Sequence, residues 1–261
     1  MKIKFYLIIA LLSTVAITYT SCKKSGSGPT STASTKQVSQ QIALNLSQTL
    51  YGGFGGFNIF DGANPPSNVN VAHNRHGLKL NSDGSDFLCG FALDTTLTYS
   101  TTLDDGGSAS ISGQFKFSYG CTDGVFSALT FYTKLKVTEN TAQIGATYNL
   151  GENLIITLTN PNDDSAPILL NGSVNVDANV QQKTGNKSTE AETFDYVFKD
   201  LKVDSSSGDI TSGSATFATK GATSAGTWNY TGTITFIGSH KAKIVINGTT
   251  YTIDLQTGAV S

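Results

Sequence analysis

The chain has little that ordinary catalytic machinery needs. Among 261 residues there is one arginine (Arg75), one tryptophan, one methionine, five prolines, three histidines and three cysteines. Charged side chains make up 14%, well below the usual fraction of about a quarter. The lysines are scattered apart from Lys23 and Lys24. A chain of net charge −2 with no basic stripe lacks the electrostatic footprint of a nucleic-acid binder. There is no Gly-x-Ser-x-Gly elbow, no phosphate-binding Walker loop and no dinucleotide fingerprint after a strand. A serine hydrolase of that type, a P-loop nucleotidase and a Rossmann enzyme are thereby set aside, and no cofactor is expected.

Long apolar stretches are also scarce. The one conspicuous run, Phe5 to Ile17, follows Lys2 and Lys4 and ends in Thr18-Tyr19-Thr20-Ser21-Cys22. It is short for a bilayer span, which takes about 20 apolar residues. The order basic, apolar, small is that of a secretory signal, and residues 1–21 are read as one. Without Lys2 and Lys4 the balance against 19 acidic side chains shifts the net charge from −2 to −4. Residues 22–36 are polar and rich in Ser, Thr and Gly, as suits a flexible tether. Residues 37–261 form a single domain.

Within that domain Val38, Ile42, Leu46 and Leu50 fall four apart and Gly52-Gly53 follows, which predicts a helix over 37–50. A glycine–aromatic stretch from Tyr51 to Phe60 and Pro65-Pro66 come next. From Phe87 onward the period becomes two. Phe91, Leu93, Leu97 and Tyr99 share a parity, as do Ile111, Phe115, Phe117 and Tyr119, and then Leu129, Phe131, Leu135 and Val137. Similar sets run through Ile144–Leu158, Val174–Val180, Phe194–Val203, Trp228–Phe236, Ala242–Ile246 and Tyr251–Leu255. These are half-buried strands. The parity switch from Phe198 to Leu201 predicts a β-bulge near Asp200, and Asn247-Gly248 predicts a two-residue hairpin. The fold class is all-β: an antiparallel up-and-down meander of roughly ten strands, closed as a barrel or strongly curved, with one short helix. Phe117, Phe131, Phe198, Trp228 and Tyr230 are expected to face inward.

Cys89 and Cys121 are expected to pair. Both flanking strands carry their apolar residues at odd numbers, so facing numbers must sum to an even value for these to share a face. A three-residue loop at Asp104-Asp105-Gly106 makes that sum 210. Phe91 then faces Tyr119, Leu93 faces Phe117, and Cys89 faces Cys121.

Candidate ligand sets are sparse. His73 and His76, three apart around Arg75, lack a third zinc ligand at a recognisable spacing, and Arg75 is the one residue able to clamp a carboxylate bidentately. Asn81-Ser-Asp83-Gly-Ser-Asp86 and Asn160-Pro-Asn162-Asp163-Asp164 cluster oxygen atoms but lack the twelve-residue calcium loop. Turn chemistry accounts for both, and no metal is expected.

Ser21-Cys22 resembles the lipobox of bacterial lipoproteins, in which the cysteine is acylated and becomes the first mature residue. Tyr19, where an aliphatic residue is usual, is similar to the relaxed lipoboxes of Bacteroidota. The order of lipobox, polar tether, helix ending in Tyr-Gly-Gly, and β meander resembles uncharacterised cell-envelope lipoproteins of that group. The resemblance implies lipidation at Cys22, a membrane partner through the anchor, and an outer-membrane location with the periplasmic face favoured over the cell surface. Asp94-Thr95-Thr96 and Asp164-Ser165-Ala166 resemble the O-glycan acceptor motif of exported Bacteroidota proteins, Ser165 being the better placed. The expected function is a non-enzymatic binding or structural module for an apolar small molecule or an envelope protein. The alternatives are a glycan-acting hydrolase with dispersed carboxylates and an accessory subunit of an outer-membrane assembly.

Overall fold

The computed structural model describes residues 32–51, 89–163, 165–185, 187–224 and 226–261. Helix α1 spans Thr35–Leu50, two residues earlier than its apolar stripe predicts. Ser34 explains the difference. Its hydroxyl accepts from the Gln37 N–H at 3.3 Å, and the Gln37 side chain accepts from the Ser34 N–H at 3.0 Å. This reciprocal capping box satisfies two donors that the first helical turn would otherwise leave orphaned.

Ten strands follow: β1 (Ala92–Thr102), β2 (Ser108–Thr122), β3 (Val125–Asn140), β4 (Ile144–Leu158), β5 (Ile168–Gln182), β6 (Thr189–Val203), β7 (Ile210–Thr223), β8 (Gly226–Gly238), β9 (Lys241–Ile246) and β10 (Thr249–Asp254). Each pairs antiparallel with the next, in the spatial order β1 to β10. The expected meander is present. The barrel is not, because β1 and β10 do not pair, and the sheet is strongly curved but open.

The turns show why successive strands can sit side by side. Asn247 and Gly248 both have positive φ, 49° and 78°, the conformation whose twist matches that of flanking strands in a two-residue hairpin. The curvature has a sequence basis too. Gly113 and Gly172, at φ 151° and 133°, stand on the inner face. A Cβ there would meet the Lys134 carbonyl oxygen at 2.0 Å and the Asn153 carbonyl oxygen at 2.1 Å. Only glycine lets neighbouring backbones close in at these points, and such positions are where sheets bend. The bulge expected near Asp200 is there. Asp200 has φ 52°, the register to β7 shifts between Lys199 and Lys202, and Asn171 Oδ1 accepts from the Asp200 N–H at 2.8 Å. Its physical result is that Phe198 and Leu201 are both buried.

Most of the concave face is one apolar cluster joining α1 to the sheet from Phe115 on β2 to Ile253 on β10. Ile42, Leu46, Ile234, Ile244 and Ile253 are fully buried. The helix lies over β9 and β10. Thr35 and Tyr251 share a hydroxyl hydrogen bond of 2.6 Å, and Tyr230 donates to the Ala33 carbonyl at 3.0 Å. Phe117, Phe131, Phe198 and Trp228 are buried as expected, while Tyr230 is half-buried.

Candidate functional site

The predicted register between β1 and β2 is the observed one. Leu93 faces Phe117, the Tyr119 N–H donates to the Phe91 carbonyl at 2.9 Å, and the loop closes between Leu103 and Gly107. Cys89 and Cys121 consequently lie at disulfide distance, with Cα atoms 5.5 Å apart. That separation falls within the window a disulfide requires.

The other sequence candidates are spread out. Cys22, His73, Arg75, His76 and the segment Asn81–Asp86 lie outside the described residues, as do the proposed signal and residues 22–31 of the proposed tether. The last five residues of the tether read from the sequence belong to the folded body instead: Ala33 is buried and bonds to β8 through the Thr227 carbonyl, Ser34 caps α1, and Thr35 and Lys36 lie in the helix. In the second oxygen-rich segment, Asn160 Oδ1 accepts from the Asn162 N–H at 3.2 Å, and Asp163 Oδ1 accepts from the Ser165 N–H at 3.0 Å and its hydroxyl at 2.6 Å. These oxygens organise turns. Ser165 is exposed and Thr95 is half-buried on the concave side of β1. His240 sits in the β8–β9 turn, whose Ser239 and His240 N–H groups donate to Asp209 at 2.6 and 3.0 Å. Among the described residues no group of three or more His, Cys, Asp or Glu is arranged to hold a metal ion.

The acidic residues of the concave face are what sequence reasoning missed. Strand pairing lines up Phe115, Thr133, Glu152, Val174, Tyr196 and Phe217 in one row across β2 to β7. Glu152 therefore points into the apolar face between Leu150 and Leu154, and is only 5% exposed. Thr133 donates its hydroxyl to Glu152 Oε2 at 2.8 Å. Burial pushes the carboxyl up to about 7, with the Thr133 bond working the other way. In the same row the buried Tyr196 hydroxyl has no hydrogen-bond partner among the described residues.

A second row runs Val137, Tyr148, Ala178, Glu192, Gly221 and Trp228 across β3 to β8. The indole of Trp228 lies over Gly221, where an added Cβ would meet the ring at 2.2 Å, and its N–H donates to Thr219 at 3.0 Å. The row beyond contains Glu139, Ala146, Val180 and Glu190. Burial pushes Glu192 up to about 7, helped by the charge of Glu190. Burial also raises Glu139, with Asp105 adding to it. Tyr148 is pushed up to about 12 by burial and then by Glu139 and Glu192. Around them Ala146 and Tyr148 form a small apolar cluster with the half-buried Val137, Ala178 and Val180. Among the described residues no ion pair neutralises Glu139, Glu152 or Glu192.

Glu152 and Glu192 can act chemically as neutral hydrogen-bond donors below about pH 7 and as anions without a paired cation above it. Glu190 and Glu192 are two positions apart on one face, roughly 7 Å along the strand. Glu190 accepts from the Ser224 N–H at 3.2 Å. Glu139 and Glu192 are three strand spacings apart, roughly 14 Å, too far to work as a pair. The convex face is different. A shallow, open trough of about 500 Å³ over β6 to β8 is lined by Val197, Thr216, Phe217, Ala218, Thr231 and Thr233 together with Asp195 and Gly232, and holds no cluster of carboxyls.

No protein-family model, curated protein or solved structure matches this chain.

Proposed function

We propose that the protein is an exported lipoprotein of the cell envelope, anchored through acylated Cys22, which works as a non-enzymatic binding module. Its ligand surface is the acid-bearing part of the concave face around Tyr148 and Glu192. The ligand is an amphiphile whose apolar body lies on Val137, Ala178 and Val180 and whose hydroxyl or amine meets Glu139 or Glu192. The observation that carries this reading is the set of carboxyls with no basic partner among the described residues on a largely apolar face. Such groups cost folding free energy unless something outside the chain pairs with them. The basic, apolar, Ser-Cys order of residues 2–22 supports export and anchoring. Among the described residues no helix is long and apolar enough to cross a membrane.

Native mass spectrometry of the full chain isolated from envelope membranes tests both parts. The reading requires a mass that begins at Cys22 with acyl chains, and a copurifying amphiphile that Glu192→Ala loses. An unmodified Cys22 would overturn the anchor, and repeated preparations without a bound molecule would overturn the binding role.

The pairing of Glu190 with Glu192 favours a second reading, a glycan hydrolase. Carboxyl groups roughly 5–10 Å apart with unlike environments are the acid and base or nucleophile of such enzymes. Hydrolysis of an envelope glycan that Glu192→Gln abolishes would establish it.

A further inference from the structure

The two edges of the sheet are finished differently. Strand β10 is covered by the chain's own tail: Thr252 and Ser261 exchange two backbone hydrogen bonds of 2.9 Å, and the Asp254 N–H donates to the Ala259 carbonyl at 2.9 Å. Strand β1 pairs only with β2 among the described strands. The bonds at Phe91 and at Leu103 show that odd-numbered residues direct their backbone groups toward β2. The N–H and C=O groups of Ala92, Asp94, Thr96, Thr98 and Ser100 therefore point away from the sheet.

An edge of 11 residues is usually blunted by proline, lysine or a bulge. Strand β1, Ala-Leu-Asp-Thr-Thr-Leu-Thr-Tyr-Ser-Thr-Thr, has none, and its register to β2 is unbroken. Its one charge, Asp94, is already paired with Lys116 at 2.7 Å on the convex face. Phe91 and Tyr99 remain 42% and 40% exposed.

The concave-face order from Phe91 is aromatic, Leu, Thr, Leu, aromatic, and it reads the same in both directions about Thr95. From this self-complementarity we propose that two copies of the chain join edge to edge through antiparallel β1 strands, on a two-fold axis through Thr95, into one continuous sheet. In that register facing numbers sum to 190. Phe91 meets Tyr99 of the second copy, Leu93 meets Leu97, and Thr95 meets Thr95. All of these lie on the concave side, so the apolar faces stay continuous. The bonded pairs are then even-numbered, Asp94 with Thr96 and Ala92 with Thr98, which are the residues whose backbone groups point outward. The pairing makes about eight new backbone hydrogen bonds. Like charges do not meet, since Asp94 faces Thr96. Thr95 occupies a non-bonded position, where facing Cα atoms come within about 4.5 Å and side chains approach most closely.

Sedimentation velocity on the full chain tests this, with three variants. The wild type is expected to sediment as a particle of two chains. Thr96→Pro removes an outward N–H without touching the β1–β2 bonds, so it should keep its circular dichroism and unfolding midpoint while dimerising at least about tenfold more weakly. In a Cys22→Ser background Thr95→Cys should oxidise to a cross-linked dimer, whereas Thr98→Cys should not. A wild type that stays monomeric at several hundred micromolar would overturn the proposal, as would a dimer that survives Thr96→Pro or cross-links equally well through Thr98→Cys.

Discussion

The concave face has two regions built on the same alternation and finished in opposite ways. Under α1, across β8 to β10, Ile234, Ile244, Ile246 and Ile253 share one apolar cluster with Ile42 and Leu46, and no carboxyl stands among the buried residues of those strands. Across β3 to β6 the same inward parity admits Glu139, Glu152 and Glu192, two of them pushed up to about 7. The first region is what folding alone selects. The second holds groups that lower stability at neutral pH, and residues that break a local rule without a compensating internal partner mark where function is to be sought. The two ends of the sheet are also secured differently, by helix packing over β9 and β10 and by the Cys89–Cys121 link beside β1.

Breaking that link should have the largest effect. The bridged cysteines are 32 residues apart, and a loop of that length constrains the unfolded chain by about 4 kcal/mol. Reduction should lower the urea unfolding free energy by that order, with hydrogen exchange rising first in β1 and β2 and last in α1. Leu46→Ala attacks the opposite region. Leu46 is fully buried, and its truncation should cost about 3 kcal/mol, by the same amount at pH 5 and pH 8 because no titrating group is involved. Ser34→Ala removes the helix cap and should cost about 1 kcal/mol, read as a small drop in unfolding midpoint. A cap effect as large as that of Leu46→Ala would mean that α1 is held by its end rather than by its buried stripe.

Much of the architecture was legible because period two is a strong signal wherever one face is buried. The Cys89–Cys121 pairing followed from parity and one loop length. The bulge at Asp200 followed from the switch between Phe198 and Leu201. The start of α1 was missed because its cap, Ser34 with Gln37, lies outside the apolar stripe. Openness could not be read, since whether β1 meets β10 depends on accumulated twist and on the tail that bonds to β10. The acidic site was missed for a different reason. Glu152 and Glu192 stand in phase with Leu150, Leu154, Phe194 and Tyr196, and a charge at an inward position was the available signal. Attention to the apolar members of each set passed over it, and only strand pairing shows that these carboxyls share a face with Tyr148.

The central claim is that the carboxyls of the concave face are held at a cost to folding, and pH-dependent unfolding tests it most directly. Glu152 has an ordinary value of 4.5 and a folded value of about 7. Between these values the unfolded chain has lost the proton that the folded chain keeps, so stability falls as pH rises through this window and is fully retained only below 4.5. The shift corresponds to about 3 kcal/mol. Urea unfolding from pH 4.5 to 8 should show the wild type losing stability by that order, with more from Glu192, while the double variant Glu152→Gln, Glu192→Gln stays nearly flat and exceeds the wild type at pH 8. Equal pH slopes in the two proteins would contradict the account.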